Sequence, residues 1–322
     1  MRSVGGTAGE LEGPPHRKGR GPPSAVDWQA MAVVAPLEAP RVVRGRSEGG
    51  GSWELVFGRC HPALAPYVGE YCGYHERTPL PVRRNEMPAA QVVMILDFGP
   101  TLRLLDPADP TRGTQHPGGF VAGLDDSFTI TETPGAMAGI QVNFTPIGAR
   151  LLLGRPLHDL ARQIVPLPDA LGPEGRHLTE RLHDTAGWPA RFRLLDHLLL
   201  ARLRAAEGVP GWLPFAWDRL ESTGGNLDIA ALSKETGYSR KHLAAVFREH
   251  LGLPPKLLAR LLRFQRALES LRSGAPPDLA RLALDLGYYD QPHFTREFRA
   301  FAGITPTELI RRQLPGAMGT AG

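Results

Sequence analysis

The chain has 322 residues, 42% hydrophobic and 22% charged, enough for a sizeable core and, at roughly 100 to 200 residues per domain, for two domains. No run approaches the roughly 20 apolar residues of a membrane span, residues 1–40 lack the apolar block of a secretory signal, and two cysteines are too few for a disulfide scaffold or a four-cysteine zinc module, so a cytoplasmic protein without a membrane partner is expected. The net charge of +4 is uneven, because residues 222–322 hold 14 Lys and Arg against 9 Asp and Glu while the preceding residues hold 23 against 24; a basic terminal module suits a polyanionic partner.

Residues 1–51 pass through Gly13-Pro14-Pro15, Gly21-Pro22-Pro23 and Gly49-Gly50-Gly51 with few large apolar side chains. They read as a disordered leader, or as residues ahead of the true start. From Trp53, alternating runs at 53–57, 92–96, 101–105, 128–131 and 139–144 predict an antiparallel sheet or partial barrel. After Pro146 the period becomes helical, with helices expected over 149–153, 156–164, 173–183 and 189–204. Strands followed by helices give an α+β body over 52–221, and Ser222-Thr223-Gly224-Gly225 reads as the linker to an all-α domain over 222–314, followed by a disordered tail at 315–322.

The last hundred residues repeat themselves. Gly237-Tyr238 recurs 50 residues on as Gly287-Tyr288; Ser239, His242, Leu243, Phe247, Gly252 and Pro255 recur 51 residues on as Asp290, His293, Phe294, Phe298, Gly303 and Pro306. One residue is therefore inserted between the turn and the helix cap of the second copy. Each copy carries the local physics of a helix-turn-helix. A short apolar helix stops at a glycine suited to a left-handed C-cap, and Ser239 or Asp290 then caps a second helix. In the first copy Leu243, Val246 and Phe247 must face inward, leaving Arg240, Lys241, His242, Ala244, Ala245 and Arg248 outward: cations with small residues between them, which permits close approach to a groove wall. In the second, Phe294, Phe298 and Phe301 form the inward stripe. Gln291, Pro292, Thr295, Arg296 and Arg299 face out, with His293 at the flank. Between the copies Pro254-Pro255 opens a leucine-rich helix ending at Ser273-Gly274, whose roughly 17 residues span about 25 Å. Such a spacer can hold two reading helices near the roughly 34 Å between successive major-groove faces of B-DNA.

The runs Gly237-Tyr238-Ser239, Leu251-Gly252-Leu253-Pro254-Pro255, Gly287-Tyr288-Tyr289-Asp290-Gln291-Pro292-His293-Phe294 and Phe298 to Pro306 resemble the DNA-binding domain of AraC-type transcription regulators. The resemblance covers residues 227–309 and implies two helix-turn-helix units whose groove-entering helices are 240–248 and 291–299. One position departs from the family's pattern. Where an Arg usually stands two residues after the Leu of the first reading helix, this chain has Ala245, which shifts the weight to Lys241 and Arg248. Lysines and arginines here can hold phosphates or read bases, and Gln291 and Thr295 have the reach for an adenine edge or a thymine methyl.

Cys60, His61, Cys72 and His75 lie close in sequence, but their spacing fits no zinc finger, and no metal site is expected; a redox-sensing thiol pair and buried or idle thiols are the other readings. Trp53, Tyr67, Tyr71 and Tyr74 read as core or as the lining of an effector pocket. No nucleophile elbow, phosphate loop or H-E-x-x-H occurs, so neither an enzyme nor a cofactor is expected. The expected function is a sequence-specific transcription regulator on promoter DNA. Its N-terminal body either senses a small-molecule effector or only mediates protein contacts, and a second copy of the chain and RNA polymerase are the expected protein partners.

Overall fold

The computed structural model describes residues 39–46, 50–106, 109–272, 278–312 and 320–321. Most of the expected leader and tail, and the predicted spacer end at Ser273-Gly274, lie outside the described residues. In chain order the elements are β1 (Arg41–Arg46), β2 (Ser52–Gly58), β3 (Val68–Arg77), β4 (Val82–Glu86), β5 (Val92–Asp97), β6 (Arg103–Leu105), β7 (Gly113–Gln115), β8 (Gly119–Ala122), β9 (Thr129–Thr133) and β10 (Ala136–Phe144). There follow α1 (Pro146–Leu153), β11 (Ile164–Pro166), α2 (Leu167–Leu171), α3 (Pro173–Asp184), α4 (Trp188–Ala205), α5 (Leu213–Ser222), α6 (Ile229–Thr236), α7 (Arg240–Leu251), α8 (Pro255–Arg272), α9 (Leu279–Asp285), α10 (Gln291–Ala302), α11 (Pro306–Arg312) and β12 (Thr320–Ala321).

The strands pair antiparallel, as the alternating runs predict, but form two sheets where one sheet or partial barrel was expected. The larger has the order β1-β2-β3-β10-β5-β8-β11 and the smaller β12-β4-β9-β6-β7. Alternation along each strand gives the larger sheet two different faces. Val56, Tyr71, Met94, Leu96, Ile140 and Val142 point toward the helices and belong to the main core, with α1 and α4 packed on that side. On the opposite face Ile95 and Phe120 meet Leu104 of the smaller sheet in a separate, much smaller apolar cluster. The space between the sheets is therefore poor in apolar contact and rich in polar groups.

Several local expectations need correcting. β1 falls inside the expected leader, where Val43 lies opposite Leu55 of β2 and the Arg44 Nε donates to Glu54 at 2.6 Å. Three arginines in six residues hide this strand from a hydrophobicity reading. Thr320–Ala321, in the expected tail, pairs with β4. Residues 156–164 are not a helix: a single 3-10 turn at Leu157–Asp159 is followed by Arg162 at φ 57, and Ile164 then pairs with Ala122. Leu157 and Leu160 are drawn into the main core and Ile164 into the sheet edge beside the smaller cluster, and together they imitate a helical stripe. β3, at ten residues one of the two longest strands, carries no simple alternation, since Tyr71, Cys72, Gly73 and Tyr74 are all buried between layers.

The expected linker is a tight turn. At Gly225 (φ 76) a Cβ would stand 1.9 Å from the Ala259 carbonyl oxygen, so only glycine lets this turn lie against α8. α5, ahead of that turn, packs on α6 and α8. The expected boundary at 222 thus falls behind a helix that the C-terminal module uses.

Candidate nucleic-acid interface

Asp228 caps α6 by accepting the Ala230 N–H at 2.9 Å, and α6 ends at Gly237 in the left-handed conformation (φ 76). Ser239 then caps α7, its hydroxyl accepting the His242 N–H at 3.2 Å. Leu243, Phe247 and Leu251 are fully buried and fix the rotation of the helix. Arg240, Lys241, His242, Ala245 and Arg248 are left exposed, with Ala244 half-buried. The second unit repeats the scheme with stronger capping. The Asp278 carboxylate accepts the Ala280 and Arg281 N–H groups, and Asp290 accepts the His293 N–H at 2.7 Å. Phe294, Phe298 and Phe301 are buried and stack on one another or on Phe264 of α8. Gln291, Pro292, Arg296 and Arg299 are exposed and Thr295 is half-buried; Gln291, Pro292, Thr295 and Arg296 together line a shallow groove.

The structure therefore gathers the expected outward residues on two helix faces. Among the described residues none of Arg240, Lys241, Arg248, Arg296 and Arg299 meets a carboxylate. Five guanidinium or ammonium groups without internal partners form an electropositive surface suited to phosphates.

The two histidines have local partners. His242 stacks on Tyr238 with ring centroids 4.7 Å apart, and both lie against Trp212 of the segment entering α5. His293 is half-buried, its Nδ1 accepting the Tyr289 N–H at 3.4 Å and its ring meeting Tyr288 edge-on. These contacts give both rings a role in holding the turn ahead of each reading helix.

Glu297 of α10 meets three basic side chains, the His293 ring among them at 4.0 Å. Buried to 8% side-chain exposure, it accepts the Arg260 Nε at 2.8 Å and faces the Arg263 guanidinium at 3.5 Å. Both arginines lie on α8, so the acid clamps the second reading helix to the spacer. α8 itself is 18 residues, about 27 Å, long. Trp212 and Arg260 were not singled out from sequence, and Tyr238 and Tyr289 entered only as members of the repeated runs.

The body places another set of groups between the sheets. Tyr74, Gly139 and Asp97 form one row across β3, β10 and β5. A Cβ at Gly139 would lie 2.4 Å from the Tyr74 hydroxyl, so glycine here leaves room for that hydroxyl to donate to Asp97 Oδ1 at 2.8 Å. Asp97 is 5% exposed, its Oδ2 has no hydrogen-bond partner among the described residues, and burial pushes its carboxyl up to about 6. Nearby on the same face Glu76 pairs with Arg84 of the smaller sheet. Tyr71, on the opposite face, donates to Asp196 at 2.9 Å inside the main core.

Cys60 and Cys72 are free and buried, and burial pushes both thiols up to about 11, the reverse of a reactive thiolate. Cys60 and His61 sit in the loop after β2, not on a strand, and among the described residues no three His, Cys, Asp or Glu side chains are gathered to hold a metal ion. No helix among the described residues is long and apolar enough to cross a membrane.

Residues 232–312 match a helix-turn-helix domain family, and residues 59–166 match a domain of unknown function. The chain is 34% identical over 98 residues to the F1 operon positive regulatory protein of Yersinia pestis, covering 30% of this chain and 31% of that one. It is 29% identical over 83 residues to the HTH-type transcriptional activator AarP of Providencia stuartii, covering 25% of this chain and 59% of the relative. The chain thus spans about a third to three fifths of the curated relatives it matches. Among solved structures it is similar to ToxT from Vibrio cholerae O395, with a TM-score of 0.41 and 10% identity over 86% of this chain and 98% of that one. On the motifs, the paired caps and the family match together, residues 232–312 are a helix-turn-helix domain.

Proposed function

We infer that the chain is a transcription regulator that reads promoter DNA through α7 and α10. The observation that carries this is the pair of capped helices whose inner faces are locked in a core and whose outer faces carry five cations without internal partners. Arg240, Lys241, Arg248, Arg296 and Arg299 supply phosphate contacts and base readout, Gln291 and Thr295 supply polar reach, and Ala244 and Ala245 leave space for close approach. Phosphate contacts make the affinity salt-dependent, and two helices on one spacer give a site of two short blocks about ten base pairs apart.

The test is selection of duplexes from a random pool by the full chain, followed by titration of the winner at two salt concentrations. Two spaced blocks with a steep salt slope support the reading; retention of every duplex alike would overturn it.

The body's role as an effector sensor is favoured by the polar space between the sheets. Asp97, buried with one oxygen unpaired beside the Tyr74 hydroxyl, and the Glu76–Arg84 pair are convergent polar groups of the kind that orient a small ligand. Such a ligand controls DNA binding only as far as it binds the DNA-competent arrangement differently from the incompetent one. A metabolite screen by thermal shift tests this, since a ligand at 100 times its dissociation constant adds about 2.7 kcal/mol. Absence of any shift, with DNA binding insensitive to the same compounds, would leave the body as a protein-contact domain, on which a second copy of the chain or RNA polymerase docks.

A further inference from the structure

The two reading units differ most where their second helices begin. In the first unit the cap is the hydroxyl of Ser239 and the next two residues are Arg240 and Lys241, so the helix start carries two exposed cations. In the second the cap is the Asp290 carboxylate, and the next two residues are Gln291 and Pro292. This start brings a negative side chain, no cation and, at Pro292, no backbone N–H. A phosphate beside it finds few donors among the groups that usually serve one at a helix N-terminus.

The inserted residue of the second copy lies at that place. Tyr288 takes up the buried position, 3% exposed, packed on Phe294 and His293. The extra residue, Tyr289, is 87% exposed, whereas Tyr238, which precedes the cap of the first unit, is 39% exposed and packs on both Trp212 and His242. Its backbone is nonetheless held, the Tyr289 N–H donating to His293 Nδ1 at 3.4 Å. A side chain with two rotatable bonds on a fixed backbone loses little entropy on making a contact, and a phenol is a hydrogen-bond donor without a formal charge.

We propose that the Tyr289 hydroxyl donates to a DNA phosphate beside the start of α10, an anchor that the first unit does not have. This rests on the DNA-reading function inferred above. The contact makes the two helix starts unequal: the first meets the DNA backbone by charge, the second by a neutral hydrogen bond, with Arg296 and Arg299 further along α10. The inequality fixes which block of the operator each unit occupies, a choice that a simple repeat leaves open.

The test compares the full chain with Tyr289→Phe, Tyr289→Ala and Lys241→Ala on the duplex selected by the wild type, at about 50 and 200 mM salt. Tyr289→Phe is expected to weaken binding about ten-fold by the same factor at both concentrations, because a phenol releases no counterion. The penalty of Lys241→Ala is expected to shrink as salt rises. Phosphate-ethylation interference is expected to lose one position, at the outer edge of the block bound by α10, with Tyr289→Phe. The residue is too exposed for either substitution to disturb the core, and unchanged thermal transitions check this.

If both Tyr289 variants bind as the wild type does while Arg296→Ala weakens binding, the anchor is refuted and the DNA reading stands. If Tyr289→Ala binds normally but fails to support transcription in a reconstituted reaction, the exposed ring serves a protein partner and the anchor is again refuted. If the wild type selects no duplex, the DNA reading itself falls and the anchor with it.

Discussion

Arg296 and Glu297 are neighbours on α10 with opposite fates, and their substitution should separate function from stability. Arg296 is exposed and faces no carboxylate among the described residues, so Arg296→Ala is expected to weaken specific DNA binding by about 1 to 3 kcal/mol while leaving the unfolding midpoint in place. Glu297 is buried between two arginines of α8, so Glu297→Ala leaves those cations facing a gap. Full burial of such a pair makes the loss about 3 to 5 kcal/mol; the partial exposure of Arg260, 33%, brings the expectation down to about 2 to 3, readable in a urea titration. A stable Glu297→Ala protein would show that the clamp contributes little. Asp97 is the contrasting buried acid, met by the Tyr74 phenol and the Leu102 backbone and, among the described residues, by no cation. Its folded pKa, about 6, lies above the ordinary 3.8, so the folded chain holds this proton more tightly than the unfolded one. The resulting stabilisation is complete below about pH 4 and is lost as pH rises through 6, amounting to about 3 kcal/mol across that window. Burial raises Asp196 and Glu86 in the same direction. Asp97→Asn is therefore expected to lose less stability than the wild type between pH 4.5 and 7.5, and an equal loss would mean that Asp97 is not the group involved. The inward phenylalanines were legible in the sequence because they recur at helical spacing. The partners of Glu297 were not, since Arg260 and Arg263 lie 37 and 34 positions away on another helix.

Among the elements, α10 shows why the C-terminal module was so readable. Its cap, its turn and its apolar stripe are all local signals, and each agrees with the others. Phe298 sits at the meeting point of that stripe with α8, fully buried against Phe264 and Phe294. Phe298→Ala is expected to cost about 3 to 5 kcal/mol through the cavity it leaves, measured as a fall in denaturant midpoint. An undiminished midpoint would mean that the ring is not a core element. β3 and the 156–164 segment read less well for a shared reason: their side chains answer to different layers. Tyr71 reaches Asp196 on α4 while Tyr74 reaches Asp97 on β5, so burial on both faces erases the period of two. In the second segment, three apolar residues at helical spacing are claimed by the main core and by a sheet edge, and tertiary contact overrides the local pattern. β1 was missed for the opposite reason, as a mostly exposed edge strand whose arginines pair with Glu54 and lie over Phe57.

Across the whole molecule the body and the helix-turn-helix module share one core, which packs the body against the helices proposed to read DNA. The 3-10 turn at Leu157–Asp159 and α1 both pack on α7, and Leu157 is only 2% exposed. The Gln265 side chain of α8 accepts the Ala90 N–H at 3.1 Å, and the Phe128 ring lies against Gly303 at the end of α10. These contacts touch the first unit, the spacer and the second unit in turn, beside a buried apolar cluster whose members run from Val56 to Leu309. A continuous core unfolds cooperatively, so the full chain is expected to show a single calorimetric transition with matching calorimetric and van't Hoff enthalpies. Leu157→Ala removes the side chain that the body sends into the seam, at a cost of about 2 to 5 kcal/mol. If the seam is what joins the two parts, the weakened variant is expected to melt in two steps, the module near the wild-type temperature and the body below it, with specific DNA binding retained and any effector response reduced. Two transitions in the wild type would mean that body and module are coupled by less than this core implies, and an effector bound between the sheets would then have no packed path to α7 and α10.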